Sequence, residues 1–431
     1  MATLPTHGEL RVLDPGAGVG SLTAAVVARS SVESPDLKLR VTGVEQDEAL
    51  INDLSSTFED CGRTHVGTYD VVSGDFIPWA YAQISSGITY DLIIMNPPYR
   101  KISRGSEEEQ AFSAAQVRTT NLYSGFVTLA LRLLAPHGQL VAITPRSFAN
   151  GTYFKSFRQE LLTTAPLRRI HVFERRDEIF KDADVLQENI IVSAQRAAIP
   201  ETVTISSSQG FGDEPSIHVV DYDAVVQPDD PQSFIHISTN AEGLTVASKM
   251  ATQPARLADL GLSVSTGRVV DFRVKDHLRP TLADGYVPLV YPGHLDSGRC
   301  RWPGGALRKP AAIARNQVTE SSLIPRGVYV LVKRFSAKEE RRRVIASVVT
   351  PEDLPGSVWG FENHLNIFHR DGRGMELDEA RALASYLNGD LVDGYVRLFN
   401  GHTQINAGDL RNLRYPVLRQ KDAENSDRSA E

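Results

Sequence analysis

The chain has 431 residues, 41% hydrophobic and 23% charged, a composition that supports two folded domains with cores and excludes one dominated by disorder. A net charge of −7 excludes a uniformly basic surface, and two cysteines, Cys61 and Cys300, are too few for a zinc site or a disulfide framework. No segment approaches an uninterrupted apolar run of about 18 residues and no basic leader precedes an apolar stretch, so the expectation is a cytoplasmic protein without a membrane span.

The first strand, 11–13, runs into Asp14-Pro15-Gly16-Ala17-Gly18-Val19-Gly20, and a helical pattern follows. Glycines at alternate positions let the backbone turn tightly and approach a ligand. Alone, the pattern is weak, because it also fits a dinucleotide loop and some plain turns. A second strand, 39–44, ends at Glu45, where a carboxylate can accept from the hydroxyls of a ribose. Ser73-Gly74-Asp75-Phe76 then offers a carboxylate suited to an exocyclic amino group, with an aromatic ring beside it. Asp75 by itself also reads as a surface turn.

The apolar strand Tyr90–Met95 leads into Asn96-Pro97-Pro98-Tyr99. Two prolines fix φ and push the residues before them toward extended geometry, so this corner is stiff and its oxygens aim in a set direction. A capped strand end is the plain reading. Downstream of the glycine loop the rigidity also suits a clamp, in which the Asn96 side-chain oxygen and the Pro97 carbonyl accept both hydrogens of an amino group conjugated to an aromatic ring. Its lone pair then turns toward an electrophile, and Tyr99 stacks on the ring. Lys101 and Arg104, just after the corner, read as phosphate contacts or as a solvated face.

Further strands at 139–144, 169–173 and 189–194 complete an alternation with helices, which implies an α/β domain over 1–200 with a largely parallel sheet and ligands at its carboxyl ends. Around 197–230 the texture shifts to Pro, Ser, Asp and Glu, marking a crossing into a second, mixed domain over 201–419. That domain shows strand-like stretches at 286–291 and 327–333 and a helical one at 377–398. Residues 201–260 hold two basic against nine acidic side chains, whereas 261–419 hold 23 against 17, so a polyanion would prefer the C-terminal half. Lys333, Arg334 and the run Arg341-Arg342-Arg343 are its candidate phosphate contacts. The polar tail 420–431 is expected to fray.

Taken in order, these motifs resemble the N6-adenine DNA methyltransferases of the gamma arrangement, in which the cofactor loop precedes the catalytic corner and the target-recognition domain comes last. The likeness is to the modification enzymes of type II restriction systems, over 10–196 with a shorter match near the C-terminus. It implies a Rossmann-like S-adenosylmethionine-dependent methyltransferase sheet with a C-terminal mixed α+β target-recognition domain. It also implies double-stranded DNA as substrate, no metal, and a cognate restriction endonuclease as partner. By this resemblance Asp14, Pro15, Gly16 and Gly18 form the cofactor loop, Glu45 binds ribose, and Asp75 with Phe76 binds the cofactor adenine. Asn96, Pro97, Pro98 and Tyr99 grip a flipped target adenine. Phe126, in Asn121-Leu122-Tyr123-Ser124-Gly125-Phe126, is implied to lie against the cofactor and reads equally as helix core. Phe180, in Asp177-Glu178-Ile179-Phe180, is implied to stack on the target base, with core filling as the competing reading.

Near the end, Asn400-Gly401-His402-Thr403-Gln404-Ile405-Asn406 resembles the closing segment of recognition domains. His402, Gln404 and Asn406 thereby join Lys333 and Arg334 as candidate DNA contacts, against the plain reading of a solvated loop. One departure stands out. Family members carry a helix and a Phe-x-Thr-Pro-like stretch ahead of the glycine loop, which here begins at Asp14, so weakened cofactor binding is an expectation. The alternatives are a methyltransferase acting on RNA or on a protein glutamine, and a cofactor-deficient DNA-binding subunit.

Overall fold

Strand β1 (His7–Pro15) occupies an inner position of a nine-stranded sheet because its alternate residues Leu10 and Val12 have a core to enter. In a computed structural model, which describes residues 1–173, 189–210, 212–228, 230–296, 298–304, 309–336, 340–399 and 403–418, it is flanked by β2 (Asp36–Glu45) and β4 (Tyr90–Met95). Helix α1 (Ser21–Glu33) and helix α2 (Glu48–Thr64) lie on one face. Val27 of α1 and Leu54, Phe58 and Cys61 of α2 pack on Leu39, Val41, Leu92 and Ile94 of the strands. The three-and-four spacing of the α2 residues meets the two-residue alternation of the strands, which is what lets a helix and a sheet share one core.

The sheet continues through β3 (Gly67–Ser73), outside β2, and through β5 (Leu134–Pro145), parallel to β4. Two strands then run β6 (Leu167–Phe173) and β7 (Asn189–Gln195), with β7 inserted antiparallel between β5 and β6. The other face holds α3 (Phe76–Ser85), α4 (Glu107–Ala114), α5 (Leu122–Arg132) and α6 (Lys155–Thr164). Helix α5 packs on α3, α6 and β5, and every residue from Leu122 to Leu131 is buried. An apolar helix covered on all sides is the expected centre of such a layer.

The stretch expected to open a second domain instead lengthens the first sheet. Strand β8 (Thr202–Ser208) pairs parallel with β6, and β9 (Ser216–Asp221) pairs antiparallel with β8. The chain divides into compact units at Met1–Asn240 and Ala241–Glu431, so the break falls after 240 rather than at 200. The Pro- and Ser-rich texture reflects an edge strand, β9, whose Ile217 and Val219 are exposed.

The unit Ala241–Glu431 carries its own sheets. Strands Ser263–Thr266, Leu365–His369, Tyr329–Lys333 and Ala346–Val349 form an antiparallel run. A second sheet joins Ala312–Ala314, Tyr286–Val290, Val358–Phe361 and Leu323–Pro325. Trp359, fully buried, packs with Tyr329, Phe361 and Leu331 between them. The helical pattern at 377–398 is two helices, Leu377–Leu387 and Asp390–Phe399. Asn388 ends the first and turns its amide onto Ala346, accepting from the backbone N–H and donating to the carbonyl. No helix among the described residues is long and apolar enough to cross a membrane.

Candidate active site

β1 and β4 pair in parallel, Val12 with Leu92 and Leu13 with Ile93. The glycine loop and the Asn-Pro-Pro-Tyr corner therefore leave the sheet side by side, at strand spacing of about 5 Å. A sheet in which parallel neighbours diverge into loops opens a crevice at that edge.

Gly16, Gly18 and Gly20 all take positive φ (69°, 56° and 84°), a conformation side-chain-bearing residues resist. The amides of Gly16 and Ala17 donate to the Val44 carbonyl at 2.8 and 3.1 Å. A methyl group built on Gly18 would meet nothing within 4 Å, and one on Gly16 would first touch Phe126, at 3.9 Å. The loop is thus open on the ligand side and floored by an aromatic ring. That ring lies 4.9 Å from Phe76, so Phe126 and Phe76 form one buried pair. Asp75 caps α3 through Ile77 N at 2.8 Å and is itself exposed.

Two carboxylates flank this loop differently. Glu45 accepts from the backbone amides of Gly18, Gln46 and Asp47, each at 2.8 Å, and so ties the loop to the start of α2. A carboxylate offers roughly four acceptor positions, which leaves room for one further donor rather than the pair of hydroxyls expected. Asp14 is 1% exposed, accepts from the Thr23 hydroxyl at 2.8 Å on one oxygen, and has no partner for the other. Burial pushes its carboxyl up to about 7. Thr23 went unread in the sequence; its only signal was its place in the first turn of α1, facing the loop.

At the corner, Pro97 is buried while Asn96 and Pro98 are exposed. The Tyr99 hydroxyl donates to Asn96 Oδ1 at 2.5 Å and lies 3.4 Å from the Ile143 carbonyl. Burial raises the Tyr99 phenol above its usual range, so it stays protonated and remains a donor at neutral pH. The Tyr99 ring meets Tyr123 edge-on at 6.4 Å. Three more buried polar groups near this edge lack partners: the Thr144 hydroxyl at the end of β5, the Asn150 side-chain amide just beyond it, and the Asn189 side-chain oxygen at the start of β7. Buried polar atoms are nearly always paired, so a concentration of unpaired ones at one sheet edge marks where a polar ligand belongs.

The remaining candidates scatter. Lys101 and Arg104 are exposed, but Glu107, Glu108 and Glu109 of α4 stand next to them, and Arg100 already pairs with Glu108. Phe180 and His402 lie outside the described residues. Within the second unit, Arg334 Nη2 donates to Gln404 Oε1 at 3.3 Å and to Asn406 Oδ1 at 3.4 Å, and its Nη1 donates to the Asn363 carbonyl at 3.2 Å. The two sequence patches thus form one, held by backbone bonds between 334–336 and 403–405. Lys333 is half-buried beside them. The run Arg341–Arg343, expected to meet phosphates, is split: Arg341 is exposed, Arg342 pairs with the exposed Asp390 at 2.8 Å, and Arg343 is 1% exposed.

The sequence profile of the Eco57I restriction-modification methylase family matches residues 44–180. The type II methyltransferase M.BsuBI of Bacillus subtilis is 42% identical over 96% of this chain and 85% of its own. M.PstI of Providencia stuartii, also a type II methyltransferase, is 39% identical over 96% and 83%. Among solved structures, the type IIL restriction-modification enzyme MmeI in complex with DNA aligns at a TM-score of 0.50 and 12% identity. That alignment covers 92% of this chain and 61% of the other, and it speaks to the fold alone. With a methyltransferase sheet, a glycine loop and a proline-stiffened corner on adjacent strands, and relatives alike over nearly the whole length, the chain belongs to the type II methyltransferases of restriction-modification systems.

Proposed function

We propose that the protein transfers a methyl group from S-adenosylmethionine to N6 of an adenine flipped out of duplex DNA, as the modification arm of a restriction-modification system. Its partner there would be an endonuclease of the same recognition sequence. The observation that carries this reading is the pairing of β1 with β4, which sets the glycine loop beside Asn96 and Pro97. S-adenosylmethionine, when bound, supplies an electrophilic methyl on a sulfonium. The residues fit such a group: the open backbone at Gly16 and Gly18 admits it, the unpartnered Asp14 oxygen suits its ammonium, and Glu45 retains an acceptor for a ribose hydroxyl.

Adenine N6 is a poor nucleophile because its lone pair is delocalised into the ring. Asn96 Oδ1 and the Pro97 carbonyl accept its two hydrogens and draw the nitrogen toward tetrahedral geometry, which frees the pair. The Tyr99 hydroxyl fixes the Asn96 side-chain oxygen and still leaves that oxygen a second lone pair. Leaving the stack costs the base a few kcal/mol, offset by stacking on the Tyr99 ring. Residues 241–431 read the duplex in this scheme.

The test is to incubate the purified protein with labelled cofactor and, separately, duplex DNA, RNA and protein, then identify the labelled product. N6-methyladenine from duplex DNA is the expected result; label confined to RNA or glutamine, or cofactor bound without transfer, overturns it. Asn96→Ala should lower turnover by about 10²–10³ while cofactor affinity holds.

A further inference from the structure

The turn Glu362-Asn363-His364, which joins strands Val358–Phe361 and Leu365–His369, contains a group that capping alone does not explain. Glu362 is completely buried, and both its oxygens serve the same residue: Oε1 holds His364 Nδ1 at 2.6 Å and Oε2 accepts from the His364 backbone amide at 2.9 Å. A buried carboxylate is costly unless paired, and here the partner is an imidazole left 46% exposed. The exposed Phe335 ring lies 4.9 Å from that imidazole. Beneath them, Arg334 donates its backbone amide to the His364 carbonyl and its guanidinium to Asn363, Gln404 and Asn406. Every bond in this assembly restricts the orientation of one outward-facing ring.

We infer that His364, oriented by Glu362 and flanked by Phe335, is a base-reading residue that sets the DNA sequence specificity of the enzyme. With Nδ1 held by the carboxylate, the ring presents Nε2 outward as its free polar atom. A polar atom fixed on a rigid platform matches the hydrogen-bonding edge that a base shows in the major groove, and Phe335 offers apolar contact to a neighbouring thymine methyl. Arg334 supports the platform and does not itself read a base. The basic excess over 261–419 suits a duplex as the occupant of this face. The inference rests on the duplex-DNA reading above, and its test is separable from methyl transfer.

Wild-type protein, His364→Ala and Phe335→Ala are each used to select bound duplexes from a randomised DNA pool, and the bound sequences are compared; labelled methyl transfer to the wild-type site is measured in parallel. Loss of preference at one base pair in His364→Ala, by on the order of tenfold or more, with weaker loss at the same or the adjacent pair in Phe335→Ala, is the expected result. An unchanged profile in His364→Ala, a loss of affinity equal for all sequences, or a wild-type protein that selects no sequence overturns the inference. Selection that succeeds while no methyl is transferred overturns the catalytic reading instead.

Discussion

The carboxyl edge of the first sheet and the rim around Arg334 in the second unit are both rich in polar side chains, yet they treat those side chains in opposite ways. At the sheet edge, Asp14, Thr144, Asn150 and Asn189 each keep a buried polar atom without a partner. Around Arg334 most side-chain groups are tied together, the terminal guanidinium nitrogens to two amides and a carbonyl and a carboxylate to an imidazole, although the buried Arg334 Nε has no partner. An unpaired buried group costs folding energy and is retained where a ligand completes it, whereas a paired network holds shape and leaves a ligand only the atoms that point outward. The first region is built to enclose something and the second to present something.

The sharpest way to break this contrast is Asp14→Asn. In the fold Asp14 keeps its proton up to about pH 7, against 3.8 ordinarily, so the native state binds more protons between those values. Stability therefore falls as pH rises from about 4 to 7 and stays reduced above that, by about 4 kcal/mol at full extent. The amide should remove that slope and stabilise the protein at pH 8 while weakening cofactor binding; a variant with the wild-type pH profile in denaturant titrations would end the idea that this edge is held in deficit. In the second unit the sign reverses. Arg334→Met should destabilise by about 1–3 kcal/mol at every pH, because Gln404 and Asn406 lose their charged donor. A neutral result by the same titration would mean the rim is not a load-sharing network. Asn406→Ala should cost about 1 kcal/mol, since Asn406 also caps the helix Ala407–Arg411; a loss as large as that of Arg334→Met would move the centre of the network from the guanidinium to the cap.

Legibility in the sequence followed the locality of the interactions. The strands at 11–13 and Tyr90–Met95 announce themselves as apolar runs ending in glycines or prolines, and both turned out to be inner strands with their loops adjacent. β3 gives no apolar run because, as an edge strand, it carries Thr68, Asp70 and Ser73 among its residues and buries none of them fully. β8 and β9 were assigned to a second domain since their Ser and Asp content resembles linker, and only pairing with β6 reveals their place. Glu45 was placed correctly at a strand end, but that three backbone amides converge on it depends on the turn of α2, which no single residue encodes. Glu362 and His364 carry no motif: two residues apart, one fully buried and one exposed, they gain meaning only when Arg334 and Phe335, distant in sequence, come alongside.

The clusters beneath the two regions are drawn from different stretches of the chain. The cluster under the glycine loop draws on residues no later than Val141, and the clusters beneath the rim on residues no earlier than Val269. Each of these clusters is filled from its own stretch of chain, so a substitution at the rim removes no side chain from the cluster beneath the glycine loop, and the two regions can be altered one at a time.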